Sequence, residues 1–477
     1  MRSRRHRRGV KAPDTPIVSL LSLGCAKNTV DSERLLGLLV RNGFLIAERP
    51  EDSDICLVNT CGFIGPAREE TAATLRKLAA ARRRGRPRRL VALGCLVERA
   101  AALPEWQEFL AAADAQAGFA IYPRIAEFCR RQLGLPAGTK DSRDLADFHR
   151  QPRLLTGRTH STWLKISEGC SHRCAFCSIP LIRGPQVSRP PAEILDEAAD
   201  LIRSGVREIC LVAQDTTAYG EDLGPAPRIE DLVRALSRLE GPVWFRLMYA
   251  HPRHLRPSLL DAMEADPRWC RYLDLPLQHI ADAMLRRMGR GMGRDATVRL
   301  LGEVRRRWPD ASLRTSFIVG HPGEGMDEFE ELTEFVRHAE FDHVGVFVYS
   351  PEAGTRAAAE QDRVPPDVAA ERCARLLDVQ REISRLRLAR RIHDRIEVIV
   401  DGPTGAGAPA GARLVGRHRG QAPEVDGVVY LLRSPPLSVG SIVSATVADA
   451  TDYDLIAHVG GAAHEVATAD GGVSSEV

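Results

Sequence analysis

No run of apolar residues in this 477-residue chain approaches the ~18 needed to cross a bilayer, which excludes a transmembrane helix. The N-terminus, MRSRRHRRGVK, is basic but lacks the apolar stretch and small-residue cleavage site of a secretory signal. A large charge of either sign is missing too. Lys plus Arg is 66 and Asp plus Glu is 63, so any affinity for nucleic acid or the ribosome must come from local patches. At 44% apolar and 27% charged residues the chain is neither disordered nor fibrous. No Ser–His–Asp or paired-carboxylate pattern stands out. A disulfide framework is not expected either: the eleven cysteines are odd in number, and a chain without a secretion signal is expected in the reducing cytoplasm. The cysteines therefore divide into packing residues and ligands, and their spacing decides which.

The length allows two to four domains, and the pattern predicts an α/β multidomain protein. Residues 1–15 read as a disordered basic leader. Over 16–140, the apolar runs IVSLLSLGC, DICLVNTC and RLVALGC alternate with helical patterns, as in a parallel sheet covered on both faces. In the first helix, DSERLLGLLVRNG, Asp31 is a candidate N-cap and Gly43 a stop. RRRGRPRR at 82–89 reads as a solvated helix end and loop, with contact to RNA or an acidic partner as the alternative. Residues 141–160 read as a linker. Six further strand–helix units over 161–394 predict a partial or complete parallel barrel, whose active site would sit at the strand carboxyl ends. Over 395–458, RIEVIVDG, ARLVGRH, GVVYLL and SIVSATVADA predict a small antiparallel β-barrel of the oligonucleotide-binding kind. Residues 459–477 read as a disordered tail.

The strongest local signal is Cys170-Ser-His-Arg-Cys174-Ala-Phe-Cys177, directly after the first barrel strand. Three thiolates at this spacing can hold a four-iron cluster with one iron left open, and a small molecule such as S-adenosylmethionine can chelate that iron. The competing reading is zinc, with His172 as fourth ligand on a tight loop. Cys25, Cys61 and Cys95 form a second trio, each at the end of an apolar strand. In a parallel sheet such ends share one edge, where α/β folds bind ligands. Three ligands again suit a cluster with an open iron; the alternative is three buried packing cysteines. Cys56, inside a strand, is assigned to packing, as are Cys129, Cys210, Cys270 and Cys373.

KISEGCSHRCAFCSIP resembles the radical S-adenosylmethionine motif, with Phe176 before the last cysteine. SLGCAKNTVDSE, VNTCGFI and LGCLVER resemble the N-terminal domain of the methylthiotransferases. AQDTTAYG, LDLPLQHI, MGRGMGR, FIVGHPGE and GVFVYSPEAGT resemble their radical domain, and the last domain resembles the TRAM fold. The resemblance covers about 17–458. It implies two [4Fe-4S] clusters, on Cys25, Cys61 and Cys95 and on Cys170, Cys174 and Cys177, with two molecules of S-adenosyl-L-methionine consumed per turnover. Gln214 and Asp215 are expected at the cofactor's polar end, Arg183 and Arg189 near its carboxylate, and Gly320 and Gly323, with Pro322, at its adenine. His279 and His321 are assigned structural roles. His321 and Gly325 depart from the family's usual GFPGET.

CGFIGPAREE, AQDTTAYGEDLG, DLPLQHI and QAPEVDGVVYL resemble the branch that modifies an aspartate β-carbon on ribosomal protein uS12; the alternative is the branch that modifies tRNA adenosine. Residues 396–458 hold four Arg and no Lys against seven Asp plus Glu. An RNA-gripping module should be basic, so this barrel is expected to bind no nucleic acid strongly and to suit a basic protein. GRHRGQAPEVDG is read as an extra basic element around Arg417 and Arg419. A flavodoxin or ferredoxin is the expected electron donor.

Overall fold

A computed structural model describes residues 15–82, 87–138, 140–225, 227–432 and 434–460. The basic leader up to residue 14, positions 83–86 of the arginine run and the tail from 461 lie outside the described residues.

The N-terminal unit is a five-stranded parallel sheet ordered β2-β1-β3-β4-β5, where β1 is Ile17–Ser22, β2 Leu45–Ile46, β3 Ile55–Thr60, β4 Arg89–Gly94 and β5 Ala115–Ala117. The two edge strands, β2 and β5, have two and three residues and no apolar run, so sequence pattern alone does not announce them. The central strands are buried on both faces, as their unbroken apolar runs require. Helix α1 (Ala26–Arg41) starts earlier than expected: Cys25 is its N-cap residue and Asp31 lies inside it. Asp31 does not cap because its carboxylate has stronger partners, the cations of Lys165 and Arg183. Helices α2 (Gly65–Arg82) and α3 (Cys95–Ala102) follow β3 and β4.

The central unit is an open, partial parallel barrel. Strands β6 (Ser161–Lys165), β9 (Glu208–Val212) and β10 (Trp244–Leu247) form one half. Strands β11 (Tyr272–Asp274), β12 (Ser312–Val319) and β13 (His343–Val348) form the other, with a bridge from Phe245 to Trp269 near the seam. A small hairpin, β7 (Ser167–Glu168) with β8 (Val187–Ser188), stands just after β6. Side chains alternate between the faces, as the strand repeat dictates. Leu164, Leu211, Phe245 and Leu273 pack under the helices. Trp163, Cys210, Trp244 and Tyr272 face the concave side, where Ala26 and Val30 of α1 and Ile399 and Ala422 of the C-terminal unit cover them.

That C-terminal unit is a closed barrel ordered β14-β15-β16-β18-β17: β14 Arg395–Pro403, β15 Ala412–His418, β16 Val429–Leu432, β17 Ile442–Ala450 and β18 Leu455–Val459. The fifth strand, LIAHV, was not read from the sequence, yet it closes the barrel by pairing with β16 and β17. Arg417 and Arg419 are not a basic surface element. Arg417 is 1% exposed and bonds Glu208 of β9 at 2.7 Å and Asp401 at 2.8 Å. Arg246 grips the other oxygen of Glu208 at 2.9 Å, and Arg419 pairs with Glu397 and lies over the Trp244 ring. The cations read as an extra basic element are the seam between barrel and core. The stretch expected as a linker is packed as well: Arg153 is buried between Glu33 of α1 and Glu197 of the core.

Burial alone would raise the Glu208 carboxyl, but Arg417 and Arg246 outweigh it and bring it to about 2. Asp401 reaches about 2 as well, held down against burial by hydrogen bonds from His160 and Arg417. Both folded values lie below the ordinary carboxylate range, so this seam stabilises fully above about pH 4 and loses its contribution as pH falls toward 2. Arg417→Ala leaves two buried carboxylates short of a cation and should cost about 3–5 kcal/mol. The urea midpoint at pH 7 should drop, and its fall between pH 4 and pH 2 should be shallower than in the parent. An unchanged midpoint would show the seam to be inert.

Candidate functional site

Three loops at the carboxyl edge of the N-terminal sheet carry the first cysteine trio. Cys25 follows β1 and caps α1, Cys61 follows β3, and Cys95 opens α3 after β4. Glycine beside each cysteine lets the loops close up. Gly24 has φ +94°, and a Cβ there would sit 2.9 Å from the Cys61 Cβ. A Cβ on Gly62 would lie 2.7 Å from the Leu96 backbone, and one on Gly94 would lie 2.2 Å from the Asn59 side chain. Asn28 then ties the three loops. Its Nδ2 donates to Leu23 O at 2.9 Å and Thr60 O at 3.1 Å, and its Oδ1 accepts from the Cys95 thiol at 3.7 Å.

The second trio follows β7. Gly169, at φ +69°, would place a Cβ 2.1 Å from Pro185 O, so only glycine lets the Cys170 loop pass this turn. Cys170 N donates to Gly184 O. Phe176 packs on Met284 and Met288. Arg290, from the MGRGMGR stretch, donates to Cys174 Sγ at 3.4 Å and to Pro276 O at 2.6 Å. His172 turns away from the thiols: its Nε2 meets Asp215 Oδ2 at 2.7 Å. The zinc reading with His172 as fourth ligand therefore finds no support in this loop. Asp215 also takes His254 Nδ1 at 3.0 Å, and the His172 and His251 rings stack at 4.4 Å. The carboxylate's other oxygen is filled by Thr217.

All six cysteines line one cavity of about 490 Å³ between the N-terminal sheet and the partial barrel. All six are free thiols. Arg183 stands between the trios, 2% exposed at its side chain. It bonds Asp31 at 3.1 Å, Glu168 at 2.7 Å, Asn28 Oδ1 at 2.5 Å and Cys95 Sγ at 3.5 Å. Burial pushes Cys95 and Cys177 up to about 12 and Cys170 to about 11. Burial would raise Cys25 too, but the cations of Lys27 and Arg183 bring it below the ordinary thiol value.

Of the residues expected at the cofactor, Gln214 and Arg183 line the cavity. Asp215 is held just behind it by the histidines. Arg189 does not line it; its guanidinium is committed to Lys165 O at 2.7 Å and Glu197 at 2.7 Å. Nor do Gly320 and Gly323. The space over Gly320 is taken by Ala369 of the long helix Pro366–Ala389, and that over Gly323 by the Arg287 guanidinium. His321 is buried against Tyr349, and His279 faces Glu324 at 3.7 Å. Sequence reading missed Lys27, Tyr249 and Gln278, which line the cavity. Tyr249 (φ 56°) and Gln278 (φ 72°) hold left-handed backbone without being glycine. Their positions at strand ends were the available signal.

Gly24 and Gly134 both have positive φ, but a Cβ on Gly134 meets nothing within 4 Å. Gly134→Ala should therefore cost only the left-handed penalty of about 1–2 kcal/mol. Gly24→Ala adds the collision with Cys61 and should cost more. Urea midpoints of the two variants compare them directly, and equal losses would refute the close approach of the Cys25 and Cys61 loops.

Known families divide the chain along the same lines. Residues 18–113 match the Uncharacterized protein family UPF0004, 164–336 the Radical SAM superfamily and 392–459 the TRAM domain. The solved radical S-adenosylmethionine methyltransferase TsrM of Kitasatospora setae shares the fold, with a TM-score of 0.52 at 14% identity over 77% of this chain and 89% of that one. Three relatives are named ribosomal protein uS12 methylthiotransferase RimO. The one from Symbiobacterium thermophilum is 41% identical over 97% of this chain and 94% of its own. The one from Myxococcus xanthus is 40% identical over 92% and 91%, and the one from Geobacter sulfurreducens 40% over 93% and 98%. With this identity along nearly its full length, and with both cysteine trios facing one cavity, the chain belongs to the RimO family of radical S-adenosylmethionine methylthiotransferases.

Proposed function

We propose that this protein adds a methylthio group to the β-carbon of an aspartate on ribosomal protein uS12, using S-adenosylmethionine and two [4Fe-4S] clusters. The observation that carries the reading is the convergence of two trios of free thiols on one cavity. The residues fit such groups. Each trio offers three soft ligands and no fourth cysteine beside them, which suits clusters that keep one iron open. Cys25, Cys61 and Cys95 would hold one, and Cys170, Cys174 and Cys177 the other. When bound, the clusters and S-adenosylmethionine supply the electron and the radical chemistry.

The protein's part is placement. Arg183 and Arg290 each donate to a cysteine sulfur, one in each trio, and such bonds orient a metal-ligating side chain. Gln214 offers an amide at the barrel's carboxyl edge for the polar end of S-adenosylmethionine. Asp215 holds His172, which lies inside the ligand loop and so fixes that loop's path. Phe347 and Val348, exposed on β13, lie at the cavity and offer apolar surface to a protein loop.

A tRNA substrate is disfavoured by the C-terminal barrel. Of the three arginines described at 396–458, Arg417 is buried, Arg419 is paired and Arg413 is exposed, against the exposed acids Glu424 and Asp449. The electron donor is proposed to be a flavodoxin or ferredoxin. No helix among the described residues is long and apolar enough to cross a membrane.

Anaerobically reconstituted protein should hold about eight irons, and Cys→Ala in either trio should remove about four. Mass spectrometry of uS12 from cells lacking the gene should show the aspartate without its methylthio group. Persistence of that mass would refute the substrate.

A further inference from the structure

The cavity contains a cation without an anion. Lys27 lies on the first turn of α1, two residues after Cys25, and is 5% exposed. Its Nζ sits 3.6 Å from the centre of the Tyr249 ring, and both residues line the cavity. Among the described residues no carboxylate lies within 4.0 Å of it, and no hydrogen-bond acceptor is recorded for its ammonium. Among the described residues Arg290, another cavity-lining cation, also has no carboxylate within 4.0 Å and leaves its Nε without a partner, but both of its terminal nitrogens are taken. Arg183 has Asp31 and Glu168. Lys165, the other buried lysine described, has Asp31 and Glu168. Of the remaining charged or titratable groups facing this corner, Arg183 repels it. Cys25 favours its charge but belongs to its trio, and Asp274 favours it from beyond 4.0 Å while turned to Tyr249 N and Arg314.

A buried ammonium with no carboxylate or hydrogen-bond acceptor in contact is costly even beside a thiol trio that favours its charge. The face of Tyr249 offsets part of that cost but leaves the N–H donors open. The same corner also stores strain, since Tyr249 adopts φ 56° to put its ring there. Such an arrangement is explained if an anion arrives with the substrate.

Resting on the proposed function, we propose that Lys27 receives the side-chain carboxylate of the target aspartate. In an aspartate the carboxylate carbon is bonded directly to the β-carbon. A carboxylate anchored at Lys27, beside the Cys25 trio and against Tyr249 from the barrel side, therefore places that carbon between the two trios. The anchor also defines the substrate class: an acidic residue is accepted and its amide rejected, because the amide leaves the ammonium unpaired.

The test is a two-by-two comparison with reconstituted holoenzyme. The substrates are uS12 with its target aspartate and uS12 with asparagine at that position; the enzymes are the parent and Lys27→Gln. The readout is kcat/KM for the methylthio product by mass spectrometry, with Kd for the same pairs where turnover is too slow. The parent should prefer aspartate by about 30-fold or more, and Lys27→Gln should reduce that preference to within about threefold. Lys27→Arg, which keeps the cation, should retain most of it. A Lys27→Gln enzyme that still prefers aspartate tenfold or more overturns the assignment. If that enzyme also loses iron, Lys27 balances the charge of the Cys25 trio instead. A parent enzyme that modifies neither protein overturns the substrate reading, and the anchor with it. A parent that modifies aspartate, paired with an unaltered preference in Lys27→Gln, removes the anchor alone.

Discussion

Arg183 brings a full positive charge to a place that water hardly reaches, and both halves of the site depend on it. On one side its guanidinium takes Asp31 from α1 of the N-terminal unit; on the other it takes Glu168 from the hairpin that leads into Cys170. Lys165 shares both carboxylates. Two cations and two anions, all deeply placed, stabilise only as a complete set, because removing one leaves an uncompensated charge. The N-terminal sheet therefore cannot tilt away from the barrel without breaking the set. This relation makes two cysteine trios, more than seventy residues apart in sequence, into one site.

The network is reinforced by the incompleteness of the barrel. A closed parallel barrel fills its own interior, but six strands leave an open concave face of Trp163, Trp244 and Tyr272 that must be covered. Helix α1 and the C-terminal barrel supply the cover with Ala26, Val30, Ile399 and Ala422. The three units thus share one apolar cluster at the centre of the molecule. Docking the C-terminal barrel there explains why Arg417 turns inward to Glu208 and why Arg419 lies over the Trp244 ring.

How much of this was legible in the sequence follows from the range of each interaction. The first trio could be read because Cys25, Cys61 and Cys95 each end an apolar run and a parallel sheet gathers such ends on one edge; the second could be read because the spacing of Cys170, Cys174 and Cys177 suits one cluster. The strand AQA, by contrast, was too short to show a period. Asp31 looked like a cap because a cap is a local motif; the cations that claim it come from residues 165 and 183. Arg417 looked exposed because nothing near it in sequence names Glu208 as its partner. The cofactor roles proposed for Arg189, Gly320 and Gly323 came from motif position, whereas their neighbours in space, Glu197, Ala369 and Arg287, were out of its reach. Lys27 was hidden for a different reason. Its distinguishing feature is the lack of a partner, and a missing contact leaves no trace in a sequence.

The strained residues follow the same logic from the energetic side. Tyr249 and Gln278 each end a segment leaving a barrel strand, and each holds a left-handed backbone that bulky side chains avoid. Neither side chain is needed for that backbone conformation, since glycine would adopt it at lower cost. What glycine could not supply is a side chain in the cavity. The backbone strain persists because the surrounding sheet over-determines it: Gln278 exchanges hydrogen bonds with Ser316 and Ile318, and Tyr249 is held by Asp274. The barrel thus spends packing energy to aim a ring and an amide at the space between the two trios. A site that must guide a radical to one carbon needs walls fixed before the substrate enters, because a loosely held carbon offers more than one hydrogen for removal.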